Sequence, residues 1–271
     1  MRLLIDHRTR YRFSAPQARL VQMLRMTPSD TNDQTVAAWR IDIDCDARLK
    51  SARDGFGNLV TMLYAQGPLS GIEIAVRGEV LTTPANGVVD SVAETFPPAL
   101  FVRSTALTTA DQAMIDFATG DAPTLNQFDQ LQSLNRAVNA RFEICSGRPV
   151  AGRTAAEAFV LEKITARDLA HIFVATARMI GAPARYVTGY RLLAASEAIE
   201  PTLHGWAEAF ATGLGWVAFD PSTGLCATEE YVRVSIGLDA ASAAPVAGSR
   251  LGVGIEQLDV DVRVERLTTD N

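Results

Sequence analysis

The chain is poor in the side chains that build metal and disulfide sites. It has three cysteines, Cys45, Cys145 and Cys226, without a CxxC spacing, and its three histidines lie far apart. A disulfide framework needs several paired cysteines, and a zinc site needs closely spaced Cys or His ligands. We therefore expect no metal site and interpret the cysteines as small core residues.

Long apolar runs and an excess of cations are also missing. The 271 residues include 25 Lys and Arg against 31 Asp and Glu, a formal net charge of -6. Nucleic acids and anionic membranes attract clusters of Lys and Arg, so we expect neither as the main partner. No segment reaches the ~20 apolar residues that cross a bilayer, and the first residues lack the apolar stretch of a signal peptide. The expectation is a soluble, cytoplasmic, globular protein.

The first third of the chain has the alternating pattern of β-strands. Between residues 3 and 13, apolar or neutral side chains alternate with Asp and Arg, which predicts a strand with one buried face. Further strands are predicted over 36–44, 59–65 and 71–83. Proline and glycine then interrupt the pattern between residues 84 and 100. We predict an N-terminal antiparallel β-domain over 1–90 and a second unit over 100–271.

The second unit begins with helical periodicity and continues with strands. A helix is predicted from Ala166 to Ile180, because apolar side chains recur on one face and Gly181 follows as a C-terminal cap. Strands are predicted at residues 184–193, 205–211, 216–219, 231–236 and 258–264. This order predicts an α+β fold in which helices pack on an antiparallel sheet.

In three segments, a titratable side chain lies within a distinctive local sequence. They read Ala166-Arg-Asp-Leu-Ala-His171, Leu203-His-Gly-Trp-Ala-Glu208 and Gly215-Trp-Val-Ala-Phe-Asp-Pro221. Each one alone is weak, since a single histidine is more often structural and Asp-Pro is a common turn. Their order along the chain makes them more specific than any of them alone.

Together these segments resemble the bacterial transglutaminase-like family. That family shows Gly-x-Cys-x-Asp-x-Ala-His, Gly-x-Pro-Ala-Arg-Tyr-Val-x-Gly-Tyr, His-Ala-Trp-x-Glu and Gly-Trp-x-x-Phe-Asp-Pro, and this chain matches the second motif at 181–190. The Asp54-Gly-Phe-Gly-Asn58 turn and the tail also fit, so the resemblance covers nearly the whole chain. It implies a papain-like core that acts on peptide, isopeptide or glutamine amide bonds of a peptide or protein substrate, without a metal or organic cofactor.

The resemblance also assigns the site residues. A cysteine at position 166 would be the nucleophile, activated by the helix N-terminus, with His204 as base and Asp220 orienting the imidazole. Trp206 is a candidate to stabilise an oxyanion, although a core role fits it too. The other family-matching side chains around the site are Asp168, Glu208, His171 and Arg185. Arg185 is a candidate ion-pair partner for one of the carboxylates, and a structural role is expected for His171, which lies about 140° around the helix from position 166.

The departure from the family pattern lies at the nucleophile, where the chain has Ala166. Alanine cannot attack a carbonyl, so the chain is expected to be inactive as written. Cys145, Cys226 or Thr165 could substitute only if the fold brings one beside His204. An introduced Cys→Ala change would explain Ala166 but not Ile164, which stands where the family has a glycine. Ile164 therefore suggests natural divergence. The alternatives to an amidase are a peptide- or protein-binding pseudoenzyme and a purely structural or assembly protein.

The sequence also predicts how His204 and Asp220 meet. The loop 212–214 has three residues and contains a glycine, which is a common hairpin length. This register pairs Trp206 with Asp220 and places His204 diagonally from Asp220 on the same face. We therefore expect an imidazole–carboxylate hydrogen bond of ~2.7 to 3.2 Å, with the Cβ of Ala166 facing the other ring nitrogen.

Overall fold

A computed structural model describes residues 1–90, 95–119, 126–193 and 203–267. Its described parts contain two six-stranded sheets, four α-helices and one short parallel strand pair. The predicted α+β fold, with an N-terminal antiparallel sheet and helices packed on a second one, is confirmed. Among these residues no helix has both the length and the apolar character needed to cross a membrane.

The first sheet, sheet A, is built around two very long strands. Strands β1 (Arg2–Leu24) and β4 (Leu59–Thr82) pair antiparallel, and β2 (Gln34–Ile43) and β3 (Ala47–Arg53) pair with β4. The predicted alternation in β1 holds, since Leu3, Ile5 and Tyr11 are buried. The strands predicted at 59–65 and 71–83 are one strand, because the pairing with β1 continues through register shifts near Gln17 instead of breaking.

The end of the chain also belongs to sheet A. Strands β13 (Val246–Leu251) and β14 (Glu256–Arg266) both pair antiparallel with β1. This differs from the expected division, which assigned all of 100–271 to the second unit. The physical reason is that β1 has a long edge whose N–H and C=O groups need partners, and the C-terminal hairpin supplies them. The boundary at 90–100 itself stays a prediction, and residues 91–94 lie outside the described part.

The second sheet, sheet B, carries the motif residues. Its strand order is β11 (Leu225–Cys226), β10 (Gly215–Asp220), β9 (His204–Ala211), β8 (Ala184–Arg191) and β12 (Tyr231–Gly237), and β5 (Val88–Val89) pairs with β10. One face packs against the helices through small residues of β9, Ala207, Ala209 and Ala211. The opposite face is aromatic and includes Trp206 and Trp216.

The helices cover the small-residue face of sheet B. They are α1 (Gln112–Thr119), α2 (Gln127–Arg141), α3 (Ala155–Phe159) and α4 (Ala166–Met179), and the short strands β6 (Glu143–Ile144) and β7 (Lys163–Ile164) lead towards α4. Helix α4 matches the predicted helix to within one residue, and Gly181 after it has the positive φ of 82° that favours glycine. Because α4 is buried over most of its length, it is fixed relative to sheet B.

Polar contacts join sheet A to sheet B. The imidazole of His7 lies 3.0 Å from the hydroxyl of Tyr190, and burial lowers the pKa of His7 to about 4. The amide side chain of Asn58 donates to the carbonyl of Ile236 and accepts from its N–H, at 2.8 and 2.9 Å. The Asp54-to-Asn58 turn is therefore a connector between the two sheets.

Candidate active site

Strand β9 presents His204, Trp206 and Glu208 on one face, because side chains alternate along a strand. Its hairpin partner is β10, and the register pairs Ala211 with Gly215 and Ala207 with Phe219. The loop between them has the three residues 212–214, as predicted. Asp220 therefore follows next, opposite Trp206, which is the register expected from the sequence.

His204 and Asp220 form the predicted hydrogen bond. Nε2 of His204 lies 2.7 Å from Oδ2 of Asp220, and both side chains are almost fully buried. Burial alone would raise the pKa of Asp220, but the charge and hydrogen bond of His204 outweigh it and lower the pKa to about 2. The backbone N–H of Ser222 also donates to Oδ1 at 2.8 Å. Asp220 is therefore an ionised carboxylate with both oxygens engaged.

Tyr231 completes this cluster and was not found from the sequence. Its hydroxyl donates to Oδ2 of Asp220 at 2.7 Å, the same oxygen that His204 contacts. Burial and the neighbouring carboxylate raise the pKa of Tyr231, so the phenol remains a donor. Tyr231 begins β12, which two strands separate from β10, so its long side chain reaches Asp220 across β8 and β9. No local pattern signals such a contact.

Aromatic rings enclose the imidazole of His204. The ring of Trp206 lies nearly parallel to it, with centroids 6.0 Å apart, and Tyr231 approaches both rings edge-on. Gly189 on the adjacent strand makes this possible, because a Cβ there would fall 2.5 Å from the indole. Nε1 of Trp206 is buried and finds no acceptor in the described part of the chain.

Ala166 is the first residue of α4 and is half-buried. Thr165 caps the helix in the capping-box arrangement: its hydroxyl donates to Asp168 at 2.8 Å and accepts from the Asp168 N–H at 3.4 Å. Arg153 adds an ion pair to the same carboxylate at 3.2 Å. Asp168 is therefore a capping residue, and the Thr165 hydroxyl is occupied by the cap. The approach of the Ala166 Cβ to the imidazole stays a prediction.

Glu208 lies further along the same face of β9, between two arginines. Its carboxylate contacts Nε of Arg185 at 2.6 Å and Nε of Arg233 at 2.7 Å. Burial would raise the pKa of Glu208, but the two guanidinium groups hold it below its ordinary value. Arg185 also stacks on Trp216, with its guanidinium carbon 3.8 Å from the ring centre. The expected Arg185 ion pair thus forms with Glu208, not with Asp168, and Arg233 was missed.

His171 is buried on the sheet-facing side of α4. Its Nε2 accepts the N–H of Ala240 at 2.9 Å, and its ring packs on Tyr186. Burial lowers the pKa of His171 to about 4, so the ring is neutral at pH 7. These contacts fit the structural role expected for it.

The cysteines occupy different surroundings. Cys226 pairs with Phe219 on β10, and its thiol lies 3.5 Å from the Gln132 side chain on the helical side of the sheet. Side chains of Phe219 and Asp220 point to opposite faces, so Cys226 faces away from the His204 cluster. Cys145 donates its N–H to the carbonyl of Ile164, which places its backbone beside the start of α4.

Two models of known families match this chain. A model described as "Bacterial transglutaminase-like N-terminal region" matches residues 3–81, and one described as "Transglutaminase-like superfamily" matches residues 116–221. The chain belongs to the bacterial transglutaminase-like family. The first match covers most of sheet A, and the second ends at the Asp-Pro that follows β10.

Individual relatives match nearly the whole chain. An uncharacterized protein of Mycobacterium leprae is 25% identical over 98% of this chain and 99% of its own, and one of Mycobacterium tuberculosis is 23% identical over 97% and 92%. A crystal structure described as "a Putative Cysteine Protease from Cytophaga hutchinsonii" has a TM-score of 0.78 at 18% identity, covering 100% of this chain and 92% of that one. At that identity the likeness shows the fold alone.

Within the described ranges of this transglutaminase-like chain, no group of three or more His, Cys, Asp or Glu side chains is placed to hold a metal ion.

Proposed function

We propose that this protein is a transglutaminase-like pseudoenzyme, which holds a peptide or protein segment at a papain-type site without cleaving it. The observation that carries the proposal is the combination of a buried His204–Asp220 pair at 2.7 Å with an alanine at the first position of α4. The pair stands at the two positions that the family resemblance gives to the base and its orienting carboxylate, which supports retained recognition of a ligand.

The groups around the site suit an amide ligand. The N-terminus of α4 offers N–H groups and roughly half a positive charge to a carbonyl oxygen. The buried N–H of Trp206 is a second candidate donor. With a thiol at position 166, the same groups would stabilise an oxyanion while His204 formed an ion pair with the thiolate. With Ala166, no covalent thioacyl intermediate can form, so binding is the remaining function.

Other nucleophiles do not replace the missing thiol in this proposal. Thr165 uses its hydroxyl in the helix cap, and Cys226 lies on the helical side of the sheet. Burial also raises the pKa of Cys226, which reduces its thiolate fraction. Cys145 is the one cysteine whose backbone lies beside the start of α4, so an experiment must control for it.

The test restores the thiol in a chain without Cys145, as A166C/C145S. We expect the new thiol to react with iodoacetamide at pH 6 to 7 and to titrate well below ~8.5, because the helix N-terminus and His204 favour the thiolate. The chain with C145S alone should lack this reactive thiol. In A166C/C145S/H204Q the thiol pKa should return towards its ordinary value. A restored thiol that titrates near ~8.5 in every background would show that position 166 does not face His204.

A second candidate function is that of an active amidase with cysteine at position 166, favoured by the intact His204–Asp220 pair. Hydrolysis is expected rather than transfer, since the sequence identifies no pocket for an amine acceptor. Assays of A166C on peptide, isopeptide and glutamine-amide substrates distinguish the candidates. Turnover that depends on His204 supports a silenced amidase, whereas unchanged ligand binding without turnover supports the pseudoenzyme.

A further inference from the structure

The outer face of sheet A consists of two halves with different charge patterns. In the half near the N-terminus, arginines lie beside carboxylates: Arg10 with Glu73, Arg77 with Asp6 and Arg40 with Asp42, at 2.6 to 3.6 Å. In the other half, Arg19, Arg48 and Lys50 surround a hollow of about 720 Å³, whose wall also includes Tyr64 and Asp46. None of these three cationic groups lies within 4 Å of a carboxylate in the described ranges. We name this second region the cationic hollow.

An exposed apolar tip adjoins the cationic hollow. Leu251 pairs directly with Arg19 across β1 and β13, so both side chains lie on the outer face. In the loop that follows, Val253 and Ile255 are each 77% exposed, and Leu251 is 58% exposed. Single exposed apolar residues are common, but three within five residues beside a group of cations form a patch that indicates an interaction site. We name these three residues the apolar tip.

The backbone of the apolar tip is held firmly to the bend of β1. Ser14 donates its N–H to the carbonyl of Ile255 and accepts the N–H of Ile255 on its hydroxyl. The side-chain amide of Gln17 donates to the carbonyl of Val253, and Arg250 donates to that of Gly254. The loop therefore presents its aliphatic side chains to solvent from a fixed backbone, which lowers the entropic cost of binding.

We infer that this face docks on the surface of a membrane that contains anionic phospholipids. A convex aliphatic tip needs no matching groove when it enters the soft boundary between headgroups and acyl chains. The adjoining cations then lie at the level of the lipid phosphates, where each Lys or Arg adds to the attraction. The net charge of -6 alone predicts no such binding. The cations of the paired half are neutralised locally, whereas those of the cationic hollow are available to lipid.

The experiment is co-sedimentation of the full chain with vesicles of phosphatidylcholine, with or without roughly 30% phosphatidylserine, at low salt and at ~0.15 M salt. We expect binding only to the vesicles with phosphatidylserine, and weaker binding at the higher salt. R19E/K50E should weaken binding about 100-fold, because two attractive charges become repulsive. V253S/I255S should weaken it about tenfold or more, because the apolar insertion is removed.

The matched control is R40E/R77E. It changes the net charge by the same amount as R19E/K50E, but on the paired half, and should bind within about threefold of the native chain. Circular dichroism confirms that each variant is folded, and all substituted positions are exposed or half-exposed. Absence of vesicle binding at low salt overturns the inference and leaves an acidic protein as the partner for this face. Equal binding by R19E/K50E, V253S/I255S and R40E/R77E overturns it as well.

Discussion

Strand β9 carries two buried ionic clusters on one face, and the two clusters differ in what can titrate. At the start of the strand His204 contacts Asp220 at 2.7 Å, and four residues later Glu208 contacts Arg185 at 2.6 Å. The arginines are charged at every pH at which the protein folds, whereas an imidazole exchanges its proton near neutral pH. Similar distances and burial therefore join two permanently charged partners in one case and an imidazole with a carboxylate in the other.

Removing the carboxylate of Glu208 should have the largest effect on stability. Glu208→Ala leaves two buried guanidinium groups without their shared carboxylate, which should cost about 3 to 5 kcal/mol of unfolding free energy. For a chain of this size, the melting temperature should fall by about 10 °C. The control is Glu143→Ala, since Glu143 contacts Lys163 at the same 2.6 Å but both side chains are more than 60% exposed. That change should cost under about 1 kcal/mol, and equal losses would contradict the role assigned to burial.

Neutral buried histidines should set the stability between pH 7 and pH 4. The folded-state pKa values of His7 and His171 are lowered to about 4 from an unfolded value near 6.5. Below pH 6.5 the unfolded chain binds protons that the folded chain excludes, so unfolding free energy falls as the pH falls towards 4. Each histidine should contribute about 3 kcal/mol to this loss.

His171→Gln keeps an acceptor near Ala240 and should remove one histidine's share of the pH dependence. Urea unfolding of the native chain and of His171→Gln at pH 7 and pH 4.5 gives the slope of unfolding free energy against pH for each protein. The difference between these two slopes is the share of His171. The two arginines hold the pKa of Glu208 below its ordinary value, so His7 should supply the largest part of the remaining slope. A slope unchanged by His171→Gln would mean that folding does not lower the pKa of His171.

Asp220 should affect stability in a lower pH range and by a smaller amount. Its folded-state pKa is lowered to about 2 from about 3.9, so its stabilising contribution is complete above pH 4 and is lost as the pH falls towards 2. The contribution should amount to about 2 kcal/mol. In Asp220→Asn, the melting temperature should therefore depend less on pH below pH 4. Tyr231→Phe removes only one hydrogen bond to that carboxylate, costs about 1 kcal/mol, and should preserve most of the dependence.

Local patterns in the sequence predicted α4, most strands of sheet B and part of the site. The glycine after α4 and the three-residue hairpin loop act within a few residues, and the length of that loop made the His204–Asp220 contact predictable. Tyr231 and Arg233 could not be predicted, because they reach the site from β12 through the pairing of sheet B. The C-terminal strands were misassigned for the same reason, since their partner β1 lies more than 200 residues earlier in the chain.

The pairing of β14 with β1 has a consequence for biosynthesis. One edge of β1 has to wait for β14, since Ile5 pairs with Val264. At about 5 to 20 residues per second, the nascent chain spends roughly 10 to 50 seconds with that edge of β1 unpaired. Open strand edges recruit other chains, so a chaperone that shields such an edge has its longest opportunity to act here. Sheet A thus closes only after β14 has been made, while α4 and the β9–β10 hairpin can form earlier.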